Sequence, residues 1–239
     1  VIATREASHM FVTGPDVVRA VTGESISAED LGGARVHGSV SGVVHYVAED
    51  EADALDQVRT LLAYLPSSAE LEAPLYDYTP ADREEDEASA AGVGALVPAS
   101  TRQAYDVVEV VSAIVDHGEL VQVQEEYAPN VVVGFACFEG HPVGIVANQP
   151  LVDAGTLDTA ASEKLARFVR FCDAFGLPVV TLVDVPGYRP GAEQEHAGII
   201  RRGAKVINAY ATATVPLVTI ILRKAYGGAY IVMGSKAIG

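Results

Sequence analysis

The second half of this 239-residue chain predicts an α/β fold built on a parallel sheet. Two continuous apolar runs, at residues 179–183 and 217–222, are typical of strands that are covered on both faces. Helical apolar spacing follows each run, at residues 193–213 and 229–238. Because strands alternate with helices, we expect neighbouring strands to be parallel and joined by crossover helices.

Composition supports a large folded core and excludes several classes of partner. Hydrophobic residues make up 49% of the chain and charged residues 20%, which is typical of a globular protein. The 32 acidic and 16 basic residues give a formal charge of −16, so overall charge disfavours nucleic acid and anionic membranes. Aromatic residues reach only 7% and Trp is absent, which disfavours a module that stacks on sugars or bases. No apolar run approaches the roughly 18 residues of a membrane span.

The two cysteines predict neither a disulfide framework nor a metal site. Cys137 and Cys172 lie far apart, no CxxC occurs, and neither has a His at ligand spacing. We interpret both as small apolar residues in a reduced, cytoplasmic protein.

The N-terminal part contains mixed, short elements. Residues 11–15 predict a short strand that ends in a turn, and Asp16 is a candidate cap for a short helix after it. Residues 51–64 place their apolar side chains on one stripe of a helix, which Pro66 ends.

An acidic segment separates the two halves. Residues 70–90 contain eight acidic residues and a single basic one, Arg83. Prolines interrupt the region, and its apolar residues show no regular spacing. We interpret it as a solvated linker; a docking segment for a basic partner is the alternative. The predicted domains are therefore 1–66, the linker 67–104, and 105–239.

The remaining elements complete the pattern downstream. Residues 105–115 predict a helix, and residues 131–136 and 142–147 predict a hairpin of two strands. Asp158 or Thr159 can cap a helix that ends at Gly176, just before Pro178.

Two loops follow the predicted parallel strands, at residues 184–191 and 223–229. Ligands gather beyond the carboxyl ends of such strands. In the second loop a glycine pair precedes a helix start, where backbone N–H groups lack partners. The amides of Gly228 and Ala229 could therefore stabilise a negative oxygen. A tight strand-to-helix turn without a ligand is the alternative.

Familiar catalytic motifs are absent from the sequence. It contains no GxxxxGK[ST], GxGxxG, GxSxG or HExxH, and none of the six histidines forms a motif with a nucleophile. An oxyanion site without an acid–base side chain fits a reaction whose base is carried by the cofactor or substrate.

Several segments resemble the carboxyltransferase β subunits of biotin-dependent acyl-CoA carboxylases, of the propionyl-CoA and acetyl-CoA carboxylase type. The similarity is carried by Ala128–Phe135, Pro142–Pro150, Arg167–Phe175, Val183–Tyr188 and Arg223–Tyr230, together with Glu193–His196, Gly198–Arg201, Ser8–Val17 and Leu31–Ala34. It covers nearly all of the chain except the acidic segment.

The resemblance implies a crotonase-like fold in each of two related domains, with the N-terminal one only partly present here. It implies a homohexamer whose sites lie between subunits, and a partner α subunit with biotin carboxylase and biotin carboxyl carrier domains. Carboxybiotin and a short acyl-CoA would be the reacting groups, and ATP would act only through the partner. Gly228 and Ala229 would face the ureido oxygen of biotin, while Gly227, Gly187 and Tyr188 would help to bind substrate.

Two departures from the family affect these expectations. Family members are about twice this length, and the corresponding Gly-Gly loop of the N-terminal domain is expected just before Val1. Ile231 stands where propionyl-type members usually carry Asp, so we expect broad tolerance of acetyl-, propionyl- and butyryl-CoA. A helix-packing role is the alternative for Ile231. A biotin-dependent decarboxylase, a transcarboxylase subunit and a non-catalytic crotonase-like assembly module remain alternatives for the whole chain.

Overall fold

A computed structural model describes residues 1–68 and 70–238. The chain divides into two compact units. Residues Val1–Ala63 and Gln124–Ala128 form the first unit, and Tyr64–Val123 with the chain from Pro129 onward forms the second. The predicted domain limits at 66/67 and 104/105 stay a prediction.

The first unit is built on two short parallel strands and four helices. Its elements are β1 (Ile2–Thr4), α1 (Pro15–Thr22), α2 (Ala28–Gly32), α3 (Ala34–Ser39), β2 (Tyr46–Ala48) and α4 (Glu51–Ala63). A small core joins Ala3, Ala34 and Val44. Helix α4 confirms the helix predicted at residues 51–64.

The strand predicted at residues 11–15 is wrong. Pro15 is the first residue of α1, where its fixed φ suits a helix and its missing N–H costs nothing. Gly14 is the N-cap, so the predicted cap at Asp16 is wrong as well: its carboxylate instead accepts from Nη2 of Arg19 at 3.0 Å.

The second unit carries a five-stranded mixed sheet in the order β3-β4-β5-β6-β7. Its strands are β3 (Val121–Gln122), β4 (Val131–Phe138), β5 (His141–Asn148), β6 (Val179–Val185) and β7 (Leu217–Ala225). Its helices are α5 (Pro80–Ala91), α6 (Val93–Leu96), α7 (Val107–Ser112), α8 (Thr159–Ala174), α9 (Ala192–His196), α10 (Ile199–Thr212) and α11 (Gly227–Val232). Strand β4 is antiparallel to β3 and β5, which confirms the hairpin, and β5, β6 and β7 are parallel.

Helix α8 packs on the sheet at a place where only glycine fits. A Cβ built at Gly144 of β5 would lie 2.4 Å from Sγ of Cys172, which is fully buried on α8. Asp158 is the N-cap of α8, and its carboxylate accepts from the N–H of Ala161 at 2.8 Å. The predicted cap is therefore confirmed at Asp158, and the interpretation of Cys172 as a small apolar residue agrees with its burial.

The strand predicted at residues 217–222 is present, but it is not covered on both faces. Every residue of β6 is buried, whereas Val218 and Ile221 of β7 are half exposed. Strand β7 is the last strand of the sheet in the described part of the chain, so β6 is its single neighbour. An apolar run looks the same in the sequence whether its strand lies inside the sheet or at its edge. For this reason β6 and β7 were both predicted to be covered on both faces.

Two predicted helices are shorter than expected. The pattern at residues 193–213 forms α9 and α10, which are separated at Gly198, where φ is 81°. The pattern at 229–238 corresponds to α11, which begins at Gly227 and ends at Val232.

The acidic segment contains a helix that the sequence did not predict. Thr79 and Asp82 form a capping box at the start of α5. Asp86 accepts from the hydroxyl of Tyr78 at 3.0 Å and from the N–H of His117 at 3.1 Å, so the helix is attached to its own unit.

No helix within residues 1–68 and 70–238 is both long and apolar enough to cross a membrane. The same residues contain no group of three or more His, Cys, Asp or Glu that could hold a metal ion.

Candidate active site

The two loops predicted to bind a ligand meet at one edge of the sheet. Strands β6 and β7 are parallel neighbours, so their carboxyl ends lie side by side. Val185 pairs with Ala225 beyond a register shift, and the N–H of Tyr226 donates to the carbonyl oxygen of Val185 at 3.2 Å. The residues that follow each strand are therefore brought together, as the topology predicts.

Helix α11 begins with the glycine pair. Gly227 has φ 58°, a left-handed conformation that other residues adopt only with strain. Tyr226 is the N-cap and provides no side-chain cap, so helix geometry leaves the first N–H groups without an intrahelical acceptor. A Cβ built at Gly228 would meet no atom within 4 Å. The backbone of Gly228 is thus open to approach from outside.

The two predicted oxyanion donors differ in exposure. Gly228 is exposed, whereas Ala229 is fully buried and packs its methyl group inside the unit. Gly228 is therefore the more accessible amide of the pair. Ile231 follows on the same short helix and is 44% exposed, so it lies at the surface next to this turn.

A buried ionic cluster lies directly beneath the turn. The side chain of Asp184, at the end of β6, is 0% exposed, and those of Arg223 and Lys224, at the end of β7, are 6% and 9% exposed. Nε of Arg223 donates to Oδ2 of Asp184 at 2.8 Å, and Nζ of Lys224 lies 3.6 Å from Oδ1. One carboxylate thus faces two cations, which leaves one excess positive charge at the ends of β6 and β7.

Backbone groups hold Asp184 in place as well. The N–H of Lys224 donates to Oδ1 of Asp184 at 3.1 Å. The N–H of Asp184 donates to Oδ1 of Asn148, at the end of β5, at 3.1 Å. These bonds join the ends of three parallel strands.

Arg223 fixes a distant segment of the same unit. Its Nη1 donates to the carbonyl oxygens of Pro98, Ser100 and Gln103 at 3.2, 2.7 and 2.8 Å. Its guanidinium carbon lies 4.6 Å from the ring centre of Tyr105. Burial and the nearby Asp184 carboxylate raise the pKa of the Tyr105 hydroxyl, so this residue stays neutral at physiological pH.

The other predicted substrate residues lie on the neighbouring loop. The carbonyl oxygen of Gly187 accepts from the N–H of Leu157 at 3.1 Å. The Tyr188 hydroxyl points at α10, since a Cβ at Gly203 would lie 2.7 Å from its oxygen. Burial raises the pKa of Tyr188. The ring thus packs inside the unit, and roles for Gly187 and Tyr188 in substrate binding stay predictions.

Sequence reasoning named both loops but missed the ionic cluster. The signal was nevertheless present, because Asp184 directly continues one buried apolar run and Arg223 and Lys224 follow the other. Charged residues at the ends of buried strands have to be paired. Because neighbouring parallel strands end at the same edge of the sheet, the charged residue that ends one strand lies closest to those that end the next.

Comparisons with known proteins identify the family of this chain. The chain matches the carboxyl transferase domain family over residues 1–239. It is 57% identical to the propionyl-CoA carboxylase beta chain of Saccharopolyspora erythraea, over 98% of this chain and 44% of the relative. It is 52% identical to the methylmalonyl-CoA decarboxylase subunit alpha of Veillonella parvula, over 98% of this chain and 45% of the relative.

A solved structure supports the fold. The crystal structure of transcarboxylase 12S, a hexamer with methylmalonyl-coenzyme A and methylmalonic acid bound, matches with a TM-score of 0.94 and 46% identity. The match covers 100% of this chain and 46% of that one, so the chain spans less than half the length of these relatives. The crotonase-like α/β fold expected from the resemblance is confirmed. The chain belongs to the carboxyl transferase domain family.

Proposed function

We propose that this chain is part of the carboxyltransferase component of an acyl-CoA carboxylase. That component transfers a carboxyl group from carboxybiotin to the α-carbon of acetyl-, propionyl- or butyryl-CoA, and thereby forms products such as malonyl-CoA and methylmalonyl-CoA. The names of the relatives support this reaction class. The structural observation that carries the proposal is the exposed residue Gly228 at the start of α11, which follows the end of β7 beside the end of β6.

The turn fits the ureido group of biotin. A Cβ built at Gly228 would meet no side chain or neighbouring segment within 4 Å, and Gly228 lies in the first turn of α11, where N–H groups lack intrahelical acceptors. When bound, carboxybiotin would supply the carboxyl group by breaking its N–C bond, and the biotin nitrogen freed in this way would take the α-proton of the acyl-CoA. Gly228 would donate a hydrogen bond to the ureido oxygen as negative charge develops there. Ala229 is the second predicted donor, but it is fully buried, so the proposal depends mainly on Gly228. The cluster of Asp184, Arg223 and Lys224 has one excess positive charge. This charge would also stabilise the negative charge that develops on the ureido oxygen.

Assembly follows from the same proposal. Residues 1–66 would form the end of an N-terminal domain and residues 105–239 most of a C-terminal one, with each site completed by another subunit of a homohexamer. The transcarboxylase 12S neighbour is described as a hexamer, which supports this assembly. A biotin carboxylase and carrier α subunit would supply carboxybiotin at the expense of ATP, in the cytoplasm.

Ile231 would help to select the acyl group. It is 44% exposed on α11, three residues after Gly228, and it presents an apolar, uncharged surface. We therefore expect acetyl-, propionyl- and butyryl-CoA all to be carboxylated. Replacing Ile231 with Asp should change the ratio of acetyl-CoA to propionyl-CoA turnover, and an unchanged ratio would contradict this role.

The decisive experiment for the carboxylase is ATP dependence. The intact protein with its biotin carboxylase partner should carboxylate propionyl-CoA only when ATP and bicarbonate are present. Gly228→Ala should abolish this activity without unfolding the protein. Full activity in that variant would contradict the role of the turn.

A decarboxylase or transcarboxylase is the second candidate. The Veillonella relative and the transcarboxylase neighbour are about as similar to this chain as the carboxylases are. Release of CO2 from methylmalonyl-CoA without ATP, or carboxyl transfer to a second acceptor, would identify these activities.

A further inference from the structure

Helices α8 and α10 pack against each other and form a groove of about 610 Å³ on the second unit. Its walls carry four basic residues: Arg167 and Arg170 on α8, and Arg201 and Lys205 on α10. We call this the basic groove. Such a surface is unexpected on a chain with a formal charge of −16.

The groove carries more positive charge than its own carboxylate can neutralise. Nζ of Lys205 donates to Glu163 at 2.8 Å, and Nη1 of Arg202 lies 3.8 Å from the same carboxylate. Within residues 1–68 and 70–238, no carboxylate lies within ion-pair distance of Arg167, Arg170 or Arg201. Three guanidinium groups therefore remain available to an external anion.

The spacing of these residues makes the lack of compensation costly. Arg167 and Arg170 are three apart on α8, and Arg201 and Lys205 are four apart on α10. Like charges at these spacings lie on the same helix face and destabilise the helix. An anion bound between the walls would relieve both pairs at once.

The floor of the groove is apolar. Ala166 and Ala204 lie on the facing helices, and the half-buried ring of Phe171 packs against the ring of Phe175 at a centroid distance of 4.5 Å. Asn208 adds a neutral hydrogen-bonding group at one end. A volume of this size suits an organic molecule and greatly exceeds a single phosphate ion.

We propose that the basic groove binds an organic diphosphate. The α8 wall presents Arg167 and Arg170 and the α10 wall presents Arg201, so a ligand with at least two negative groups can contact both walls. Guanidinium groups match phosphate oxygens in pairs. The apolar floor receives the organic part of the ligand. The site lies on α8 and α10 and uses none of the residues of the turn at Gly227–Ala229.

Calorimetric titration of the intact protein tests the site, with ADP, inorganic pyrophosphate and adenosine as probes. We expect ADP to bind more tightly than pyrophosphate, and adenosine not to bind measurably. Arg167→Gln combined with Arg201→Gln should weaken ADP binding about tenfold or more, because each lost bond joins two charged groups. The control is Arg35→Gln, since Arg35 is exposed on α3 in the first unit and outside the groove.

Three outcomes would overturn the proposal: no ADP binding at millimolar concentration, equal affinity for ADP and pyrophosphate, or equal affinity in the groove variant and the wild type. Cross-links that place acidic residues of another protein chain in the groove would also overturn it. Arg167 and Arg201 are both exposed, so circular dichroism should show that the groove variant remains folded.

Acyl-CoA, the substrate in the proposed function, also carries a diphosphate. The KM for propionyl-CoA in the groove variant shows whether the diphosphate that binds there belongs to the acyl-CoA substrate or to a separate nucleotide. A raised KM for propionyl-CoA assigns the groove to the substrate, and an unchanged KM with weakened ADP binding assigns it to a separate nucleotide. Because ADP binding is measured without turnover, it tests the groove even if the proposed reaction is wrong.

Discussion

Replacing Asp184 by Ala should destabilise the second unit by about 3–5 kcal/mol, because it leaves two buried cations without their partner. The side chains of Asp184, Arg223 and Lys224 are 0%, 6% and 9% exposed, so solvent screens their interaction weakly. The substitution also removes the acceptor for the N–H of Lys224 and breaks the 2.8 Å bond from Arg223.

The matched control is Arg189→Ala, which removes an exposed ion pair without placing Ala at the positive φ of 47° that Asp153 adopts. Asp153 also pairs with an arginine, Arg189, at 3.2 Å, but both side chains are about half exposed. Exposed pairs contribute about 0–1 kcal/mol, so this variant should lose at most about that much. The difference between the two variants isolates the effect of burial.

Urea unfolding followed by circular dichroism measures both variants against wild type. If the two variants unfold at the same urea concentration with unchanged slopes, burial does not make this ion cluster important, and the reasoning is wrong. Asp184→Asn refines the result, since an amide keeps the volume of the side chain and can still accept from the N–H of Lys224. It should fall between Asp184→Ala and wild type.

Further predictions concern the turn, the packing glycine and the thiols. Gly228→Ala should change stability by no more than about 0.5 kcal/mol, because its new Cβ meets no atom within 4 Å, while carboxyl transfer is lost. Gly144→Ala should instead lower stability by about 1–3 kcal/mol in the same unfolding assay, because its Cβ would lie 2.4 Å from Sγ of Cys172. Burial raises the pKa of Cys137 to about 11, so iodoacetamide should label it slowly at pH 8 and faster as the pH approaches 11; rapid labelling of the folded protein at pH 8 would contradict this. Cys172, whose pKa burial also raises, should react only after unfolding. Ile231→Asp should change the acetyl-CoA to propionyl-CoA turnover ratio, measured by incorporation of labelled bicarbonate.

Local patterns were sufficient to predict strands β4 to β7 and helix α8 of the second unit, but not β3 or α5. An apolar run such as residues 179–183 specifies a strand wherever it lies, and Asp158 with Gly176 brackets α8 by local rules alone. The N-terminal strand failed because Phe11 and Val12 suggested a strand, whereas Pro15 began a helix. The apolar spacing of residues 193–213 likewise predicted one continuous helix, because it does not show that Gly198 adopts a left-handed conformation that divides α9 from α10.

Long-range contacts could not be predicted from these patterns. Arg223 binds carbonyl groups of residues 98–103, more than a hundred positions earlier in the chain, and no local periodicity records such a contact. The exposure of β7 depends on which strands lie beside it, which is a property of the whole sheet. The long-range bonds of Arg223 and the exposure of β7 are both consequences of topology, and both concern residues next to the candidate site.

The two glycines of the turn show how structure adds to a sequence motif. Gly227 has φ 58°, so the chain's own backbone requires a glycine there whether or not a ligand binds. Gly228 has no positive φ, and a Cβ at this position would meet nothing within 4 Å. Neither backbone conformation nor packing within this chain therefore accounts for the second glycine. A group that approaches this exposed residue from outside would account for it, which makes Gly228, rather than Gly227 or Ala229, the residue on which the proposed oxyanion site depends.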